Sequence, residues 1–448
     1  MNTPICKMLS EHSKKNYTKF HTGSRDFDTP DFWSWDFTEL PGLDNLQCPS
    51  GSILEAQTLA AQAFGADRTF FSVNGSTAAI VALIIGSCSP GDVLVVDRCS
   101  HRSVFHALAL AGVKAVLVNP TSEDGLPVPQ SAEVFLDATI KHEAVGVLVT
   151  RPNYYGISFD ISELATELHK VGKFLLVDEA HGAHFGFHPL LPQAALKFGA
   201  DGVAQSAHKT LGALNQTAYL HIQGSYLIEE KIASALSMVQ TTSPSYPLLA
   251  SLDYSRAWLQ EEGESRYSKL LLAIDEFWKQ LHPPFRSAVV SCEQDPSRLV
   301  IRMKDFDGNR VAHLLRERYE IQVEMSDTEY IVCIAVPGDE EGLRKLSNAL
   351  NKVIALGEGN YPYTPVNLIG QTAYVDVPID IRLSLYARHL EVEAQDAVGK
   401  ISGEFVTQFP PGVPLLCPGE KISLEVATQI YDIIKSKITI MDDGGTND

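Results

Sequence analysis

Short, almost uninterrupted apolar runs alternate with segments whose apolar residues recur every three or four positions between residues 68 and 223. RTFFSV (68–73), VLVVDR (93–98), KAVLVN (114–119), VGVLVT (145–150) and KFLLVDEA (173–180) have the composition of strands buried on both faces. DGVAQSAH (201–208) and TAYLHIQ (217–223) add two more. Between them, an apolar helix is expected from Ser76 after the Asn74-Gly75 turn, another over SVFHALALAG closed by Gly112, and a third over ISELATELHKVG. Strands alternating with helices in this way predict a doubly wound α/β domain with a mostly parallel sheet.

After Pro244 the period becomes helical over YPLLASLDYSRAWLQEEGESRYSKLLLAIDEFWKQL, up to Pro283-Pro284. SRLVIRM, GNRVAHLLRERYE, EYIVCIAV and EGLRKLSNALNKVIAL then give strand, helix, strand, helix, which suits a smaller α+β domain. The end, SKITIMDDGGTND, reads as a frayed tail. The expected organisation is an arm over 1–45, a large domain over 46–265 and a small C-terminal domain over 266–448. No repeat at solenoid spacing and no low-complexity tract interrupts it.

Composition narrows the function. Among 448 residues, 36 Lys and Arg stand against 55 Asp and Glu, a net charge of -19 that argues against a nucleic-acid partner. The seven cysteines are scattered without a CxxC pair, so neither a disulfide framework nor a zinc or other metal site is expected. The first twenty residues have no apolar signal core, and AAIVALIIGSC (78–88) is too short to span a bilayer. The expectation is a soluble, cytoplasmic protein with no membrane partner.

Four strand ends carry polar residues, and in open α/β sheets that is where ligands bind. In VNGSTAAI (73–80), Ser76 and Thr77 open a helix, where backbone N–H groups and hydroxyls would face an anion such as a phosphate; a plain helix cap is the alternative. His101, in VVDRCSHRSVF, is either a surface histidine or one placed to stack on a flat ring. In FLLVDEAHGAHFG, Asp178 ends an apolar strand, where a carboxylate needs a partner such as a protonated ring nitrogen. Ala180 and His181 follow it, and Gly182 and Gly186 would let backbone approach a cofactor. The Asp-Glu-Ala-His string also suits a helicase, but no GxxxxGK[ST] loop accompanies it. Finally, QSAHKTLGALNQ (205–216) supplies Ser206 and His208 as donors and Lys209 as an amine. Lys209 either snorkels to water or, desolvated, forms a Schiff base.

Together these groups match the needs of pyridoxal 5'-phosphate. Lys209 would hold the aldehyde and the Ser76–Thr77 turn with Ser206 and His208 the phosphate. Asp178 would keep the pyridine nitrogen protonated, which makes the ring an electron sink.

The chain resembles the bacterial ornithine/lysine/arginine decarboxylases from about residue 36 to 420. The segments that carry the likeness are DFTELPGLDNLQCPSGSILEAQ, FGADRTFFSVNGSTA, PGDVLVVDRCSHRSVFHAL, TRPNYYGISFDI, VDEAHGAHFGFHPLLPQAAL, GADGVAQSAHKTLGALNQ, TTSPSYPLLASLD and FPPGVPLLCPGE. The resemblance implies an aspartate-aminotransferase-like fold (PLP fold type I) and a homodimer or higher oligomer. It implies Lys209 as the Schiff-base lysine, Asp178 as the pyridine partner and His101 as the stacking ring. Ser76, Thr77, Ser206 and His208 become phosphate contacts, with Thr242 reaching a neighbouring subunit's phosphate. Glu420 would greet the distal cation of the substrate, with a solvated turn residue as the alternative.

The chain also departs from that family. Its arm has His21-Thr22-Gly23-Ser24-Arg25 where relatives carry a His-x-Pro-Gly-His-Lys run. Ala207 replaces a usual threonine and Ser158 a frequent cysteine, and no receiver-like domain is expected before the arm. The resemblance implies decarboxylation of arginine, lysine or ornithine to the amine and CO2, a step in polyamine biosynthesis. Another pyridoxal-phosphate reaction (aminotransferase or α-oxoamine-synthase-like) is a second reading, and a catalytically silent relative, motivated by the altered arm, a third.

Overall fold

The protein is described from a computed structural model that covers residues 1–14, 35–303, 305–356, 372–407, 414–433 and 436–442. The altered arm, His21 to Arg25, lies outside the described residues. The chain forms two compact units: Met1–Cys88 with Ile161–Glu264, and Ser89–Asp160 with Ser265–Asp448.

In the first unit, strands Arg68–Ser72, Ala218–Ile222, Gly202–Gln205 and Phe174–Asp178 lie side by side in that order. The last two run parallel, as the buried apolar runs predict. Ala218–Ile222 runs antiparallel to both its neighbours. The reason is its connection: residues 206–217 contain only one turn of helix, Ala207–Thr210. A parallel return needs a longer crossover, usually a full helix.

Helix Gly75–Ser87 has almost every side chain beyond its first turn buried, as AAIVALII demands. It packs against helix Glu229–Val239, which the sequence pattern had not suggested, and Gly86 makes the contact possible. A Cβ there would stand 2.6 Å from Ile232 Cδ1 and 2.9 Å from Ile232 Cα. The segment DFTELPGLDNLQCPSGS forms a loop whose Asp44 carboxylate collects the N–H groups of Ser50, Gly51 and Ile53, at 3.0, 2.8 and 2.8 Å. It thereby stabilises the start of helix Ser52–Phe64 from outside the helix.

In the second unit, Gly146–Thr150, Val93–Asp97 and Lys114–Val118 are parallel, and Tyr374–Asp376 is added antiparallel to the last. Helix Arg102–Ala111 ends at Gly112, whose φ of +66° closes it as expected. The expected α+β portion is an antiparallel sheet ordered Arg286–Ser287, Arg298–Arg302, Tyr330–Ile334, Met325–Ser326, with helices Gly308–Tyr319 and Glu340–Leu356. Helix Tyr246–Gln280 carries the chain from the first unit into the second. The supposed frayed tail needs correction. Lys437–Met441 is a strand paired antiparallel with His389–Glu393, because Ile438 and Ile440 alternate into an apolar cluster with Leu416 and Ile430. Among the described residues no helix is long and apolar enough to cross a membrane.

Candidate active site

Strand Phe174–Asp178 delivers Asp178 to its carboxyl end, 4% exposed. Burial raises the Asp178 carboxyl above the usual range, while the positive Lys209 and the Ala180 N–H, 3.1 Å away, pull it back. The neighbouring strand stops at Gln205, so the DGVAQSAH run is a strand only to that point. Ser206 ends it and Lys209 rides on the turn of helix that follows, with its N–H on Ser206 O. Lys209 Nζ lies 3.0 Å from His181 Nε2, so the amine is directed to the end of strand Phe174–Asp178 and is not simply extended into water.

Ser206, fully buried, donates its hydroxyl to Ser76 Oγ at 2.8 Å, joining two separate strand ends. The plain-cap alternative for Ser76 and Thr77 does not hold. Helix Gly75–Ser87 starts one residue earlier, with Asn74 in the cap position and no side-chain cap hydrogen bond. That leaves its first turn, with two hydroxyls beside it, suited to an anion. His208 Nδ1 faces the Thr217 carbonyl at 2.9 Å and therefore carries a proton as donor. His208 can add a second donor, at Nε2, only as the imidazolium. Thr242 is exposed, in the bend after helix Glu229–Val239.

Behind this strand end runs a buried polar chain that sequence reasoning missed. Gln205 Nε2 donates to Glu179 Oε2 at 2.7 Å, and the other Glu179 oxygen accepts the Ala195 N–H at 2.9 Å. Gln205 Oε1 must then accept from His221 Nε2, 3.1 Å away, which leaves His221 Nδ1 to accept from Thr69 Oγ1 at 2.7 Å. Burial accordingly holds His221 neutral, its pKa lowered to about 3. The signal was present as polar residues inside apolar strands: Thr69 in RTFFS, Gln205 in GVAQ and His221 in AYLHI. Gly182 serves this same turn. A Cβ on it would stand 2.7 Å from Glu179 Cγ and 2.8 Å from Phe185 Cδ2, so this glycine makes room for the chain's own packing. Gly186 has a φ of +80°, a conformation that favours glycine.

His101 and Glu420 belong to the second unit. His101 is the N-cap of helix Arg102–Ala111, its Nδ1 accepting from Ser103 N at 3.3 Å. Glu420 is not a solvated turn residue: it is 4% exposed. Its oxygens face Arg98 Nη1 and Nη2 at 3.2 and 2.5 Å, and Cys417 N–H at 3.0 Å. A substrate cation would therefore meet a carboxylate whose charge Arg98 already balances. Among the described residues no group of three or more His, Cys, Asp or Glu is placed to hold a metal ion.

The chemistry available in the first unit is an amine beside an imidazole, a buried carboxylate and a hydroxyl-lined helix start. Residues 3–297 match the family described as "Orn/Lys/Arg decarboxylase, major domain", and residues 382–437 match its C-terminal domain. An uncharacterised Bacillus subtilis protein is 34% identical over 98% of this chain and 95% of its own length. An arginine decarboxylase of the same organism is 33% identical over 96% of this chain and 93% of its own. The fold is that of the Francisella novicida lysine decarboxylase, with a TM-score of 0.85 at 19% identity over 98% of this chain and 81% of that one. Aminotransferases, such as the Nostoc alanine–glyoxylate enzyme with a TM-score of 0.57 over 69% of this chain, share the α/β architecture more distantly. The matched length and the fold agree: this chain belongs to the Orn/Lys/Arg decarboxylase family.

Proposed function

We propose that the protein decarboxylates a basic amino acid (arginine, lysine or ornithine) with pyridoxal 5'-phosphate held on Lys209. The observation that carries this reading is the meeting of Lys209, His181 and Asp178 beside the Ser76–Ser206 hydroxyl pair, in a chain of this family. The residues fit the cofactor: a strand-end amine for its aldehyde, a buried carboxylate for its ring nitrogen and an uncapped helix start for its phosphate.

When bound, the cofactor supplies an electron sink for the pair left behind as CO2 departs. Lys209 Nζ binds it covalently. Asp178 keeps a proton on the ring nitrogen, the role its coupling to a neighbouring cation suits. Ser76 and Ser206 would hold the phosphate with the helix N-terminus, and Thr77 and His208 would add donors. Ala180 and His181 would add contacts to the cofactor. By resemblance, Thr242 would reach the phosphate of a second subunit, which makes the working form a homodimer or larger. The product amine belongs to polyamine synthesis in the cytoplasm, a small-molecule role with no nucleic-acid or membrane partner.

The test is covalent trapping. Borohydride reduction of the cofactor-loaded protein, followed by peptide mapping, should mark Lys209, and Lys209→Ala should remain folded without turnover. A mark on another lysine, or turnover by the alanine variant, overturns the assignment.

A further inference from the structure

Lys209 and His181 are brought together by two different strand ends, and both ends are fixed by the same buried groups. His181 follows Glu179, whose carboxylate is held by Gln205 and the Ala195 N–H. The Gly182 N–H returns to Glu179 O at 2.9 Å, closing the turn that presents the imidazole. Gln205 is also the last residue of the strand leading to Lys209. The 3.0 Å separation of Nζ and Nε2 is therefore set by the fold and not by two loose side chains.

A hydrogen bond at that distance needs a proton on the line between the nitrogens. An ammonium donating to a neutral imidazole, and an imidazolium donating to a neutral amine, differ only by moving it. Asp178 bears directly on Lys209, and Glu179 has both oxygens engaged. His208 directs Nδ1–H to Thr217 O, His184 packs on Phe185, and His188 Nδ1 accepts the Leu190 N–H. Asp178 thus favours a positive charge on Lys209 Nζ, the direction in which a proton from His181 would move.

We propose that His181 is the proton-exchange partner of Lys209, reloading its Nζ after each turnover. The proposal rests on the reading of Lys209 as the cofactor-bearing lysine of a decarboxylase. The net reaction consumes one proton: the carboxylate carbon–α-carbon bond breaks, CO2 leaves, and a C–H bond forms at the α-carbon. If Lys209 Nζ–H supplies that hydrogen, the amine is left one proton short. Transfer from His181 Nε2–H to Nζ restores it, and the imidazole regains its proton from water. His181 acts through Lys209 and is in that sense a positioning and relay residue.

The experiment uses the full chain with His181→Gln, whose amide can occupy the Nε2 position but cannot titrate, and His181→Ala as a second variant. In cofactor-free protein, the rate of Lys209 modification by trinitrobenzenesulfonate is followed against pH by peptide mass spectrometry. The midpoint should move by about half a pH unit or more in both variants, because the amine loses its titrating neighbour. In loaded protein, kcat should fall about 10- to 100-fold, with KM altered less than about threefold, and its pH profile should lose a limb. Added imidazole should restore part of kcat to His181→Ala and none to His181→Gln, whose side chain fills the space. Unchanged midpoints with kcat within about twofold of the parent would overturn the proposal. If borohydride trapping in the parent protein marks no cofactor on Lys209, the functional reading fails. The cofactor-free midpoints still decide the Lys209–His181 coupling by themselves.

Discussion

Arg98 and Glu420, more than three hundred residues apart in sequence, form a buried ion pair in which both guanidinium Nη atoms face the carboxylate. Arg98 Nε also donates to Asn119 Oδ1 at 2.6 Å, and Nη1 reaches the carbonyls of Pro414 and Leu415. The pair ties the residue after strand Val93–Asp97, three residues before His101, to residues 414–420. Burial works against the charge on Arg98, but Glu420, Cys417 and Cys99 together outweigh it and raise the guanidinium's pKa.

Removing one partner leaves the other charge buried alone. Glu420→Ala should cost about 3–5 kcal/mol of stability in denaturant unfolding, whereas Arg98→Met with Glu420→Leu should recover much of that loss. An alanine variant as stable as the parent would mean that the pair contributes nothing.

His221 predicts a specific acid sensitivity. Burial lowers its pKa to about 3, while in the unfolded chain it titrates near the usual value of about 6.5. Between those values the unfolded state binds the extra proton, so the stability His221 contributes is present above about pH 6.5 and is lost as pH falls. His221→Gln should be less stable than the parent at pH 8 but lose less on acidification. The two slopes should differ by up to about 1.4 kcal/mol per pH unit between pH 6 and 4. Parallel stability curves would contradict the neutral, hydrogen-bonded imidazole.

Asp97 should act with the opposite sign. Burial pushes its carboxyl up to about 6, against hydrogen bonds from Cys99 and Thr150 that lower it. Between about pH 4 and 6 the folded state holds the extra proton. The stability contributed by Asp97 is therefore full below pH 4 and lost as pH rises through 6. The stability of Asp97→Asn relative to the parent should increase across that window and level off above pH 7. A constant difference from pH 4 to 8 would show an ordinary carboxylate.

Much of this molecule was legible in its sequence. The strands after Gly65 were marked by continuous Val, Leu and Ile, and helix Tyr246–Gln280 by its period and the prolines beyond it. Lys209, Asp178 and Ser206 were legible because polar residues at the ends of apolar strands need a reason. What escaped depends on contacts between distant segments. The antiparallel course of Ala218–Ile222 follows from a short connection, not from its composition, which resembles that of its parallel neighbours. The Thr69–His221–Gln205–Glu179 chain joins three strand positions and the residue after a fourth strand, whose spacing in sequence says nothing of their meeting. Glu420 read as a surface or substrate-facing acid because its partner, Arg98, lies at the other end of the chain's α/β run.

The most direct test of the central claim is the product itself. Purified protein with pyridoxal phosphate would be incubated with arginine, lysine and ornithine together, and the mixture analysed by mass spectrometry. The account predicts an amine lighter than one of the substrates by one CO2, formed by the parent and absent with Lys209→Ala. Keto acids in place of amines, or no product from protein whose Lys209 carries the cofactor, would contradict it.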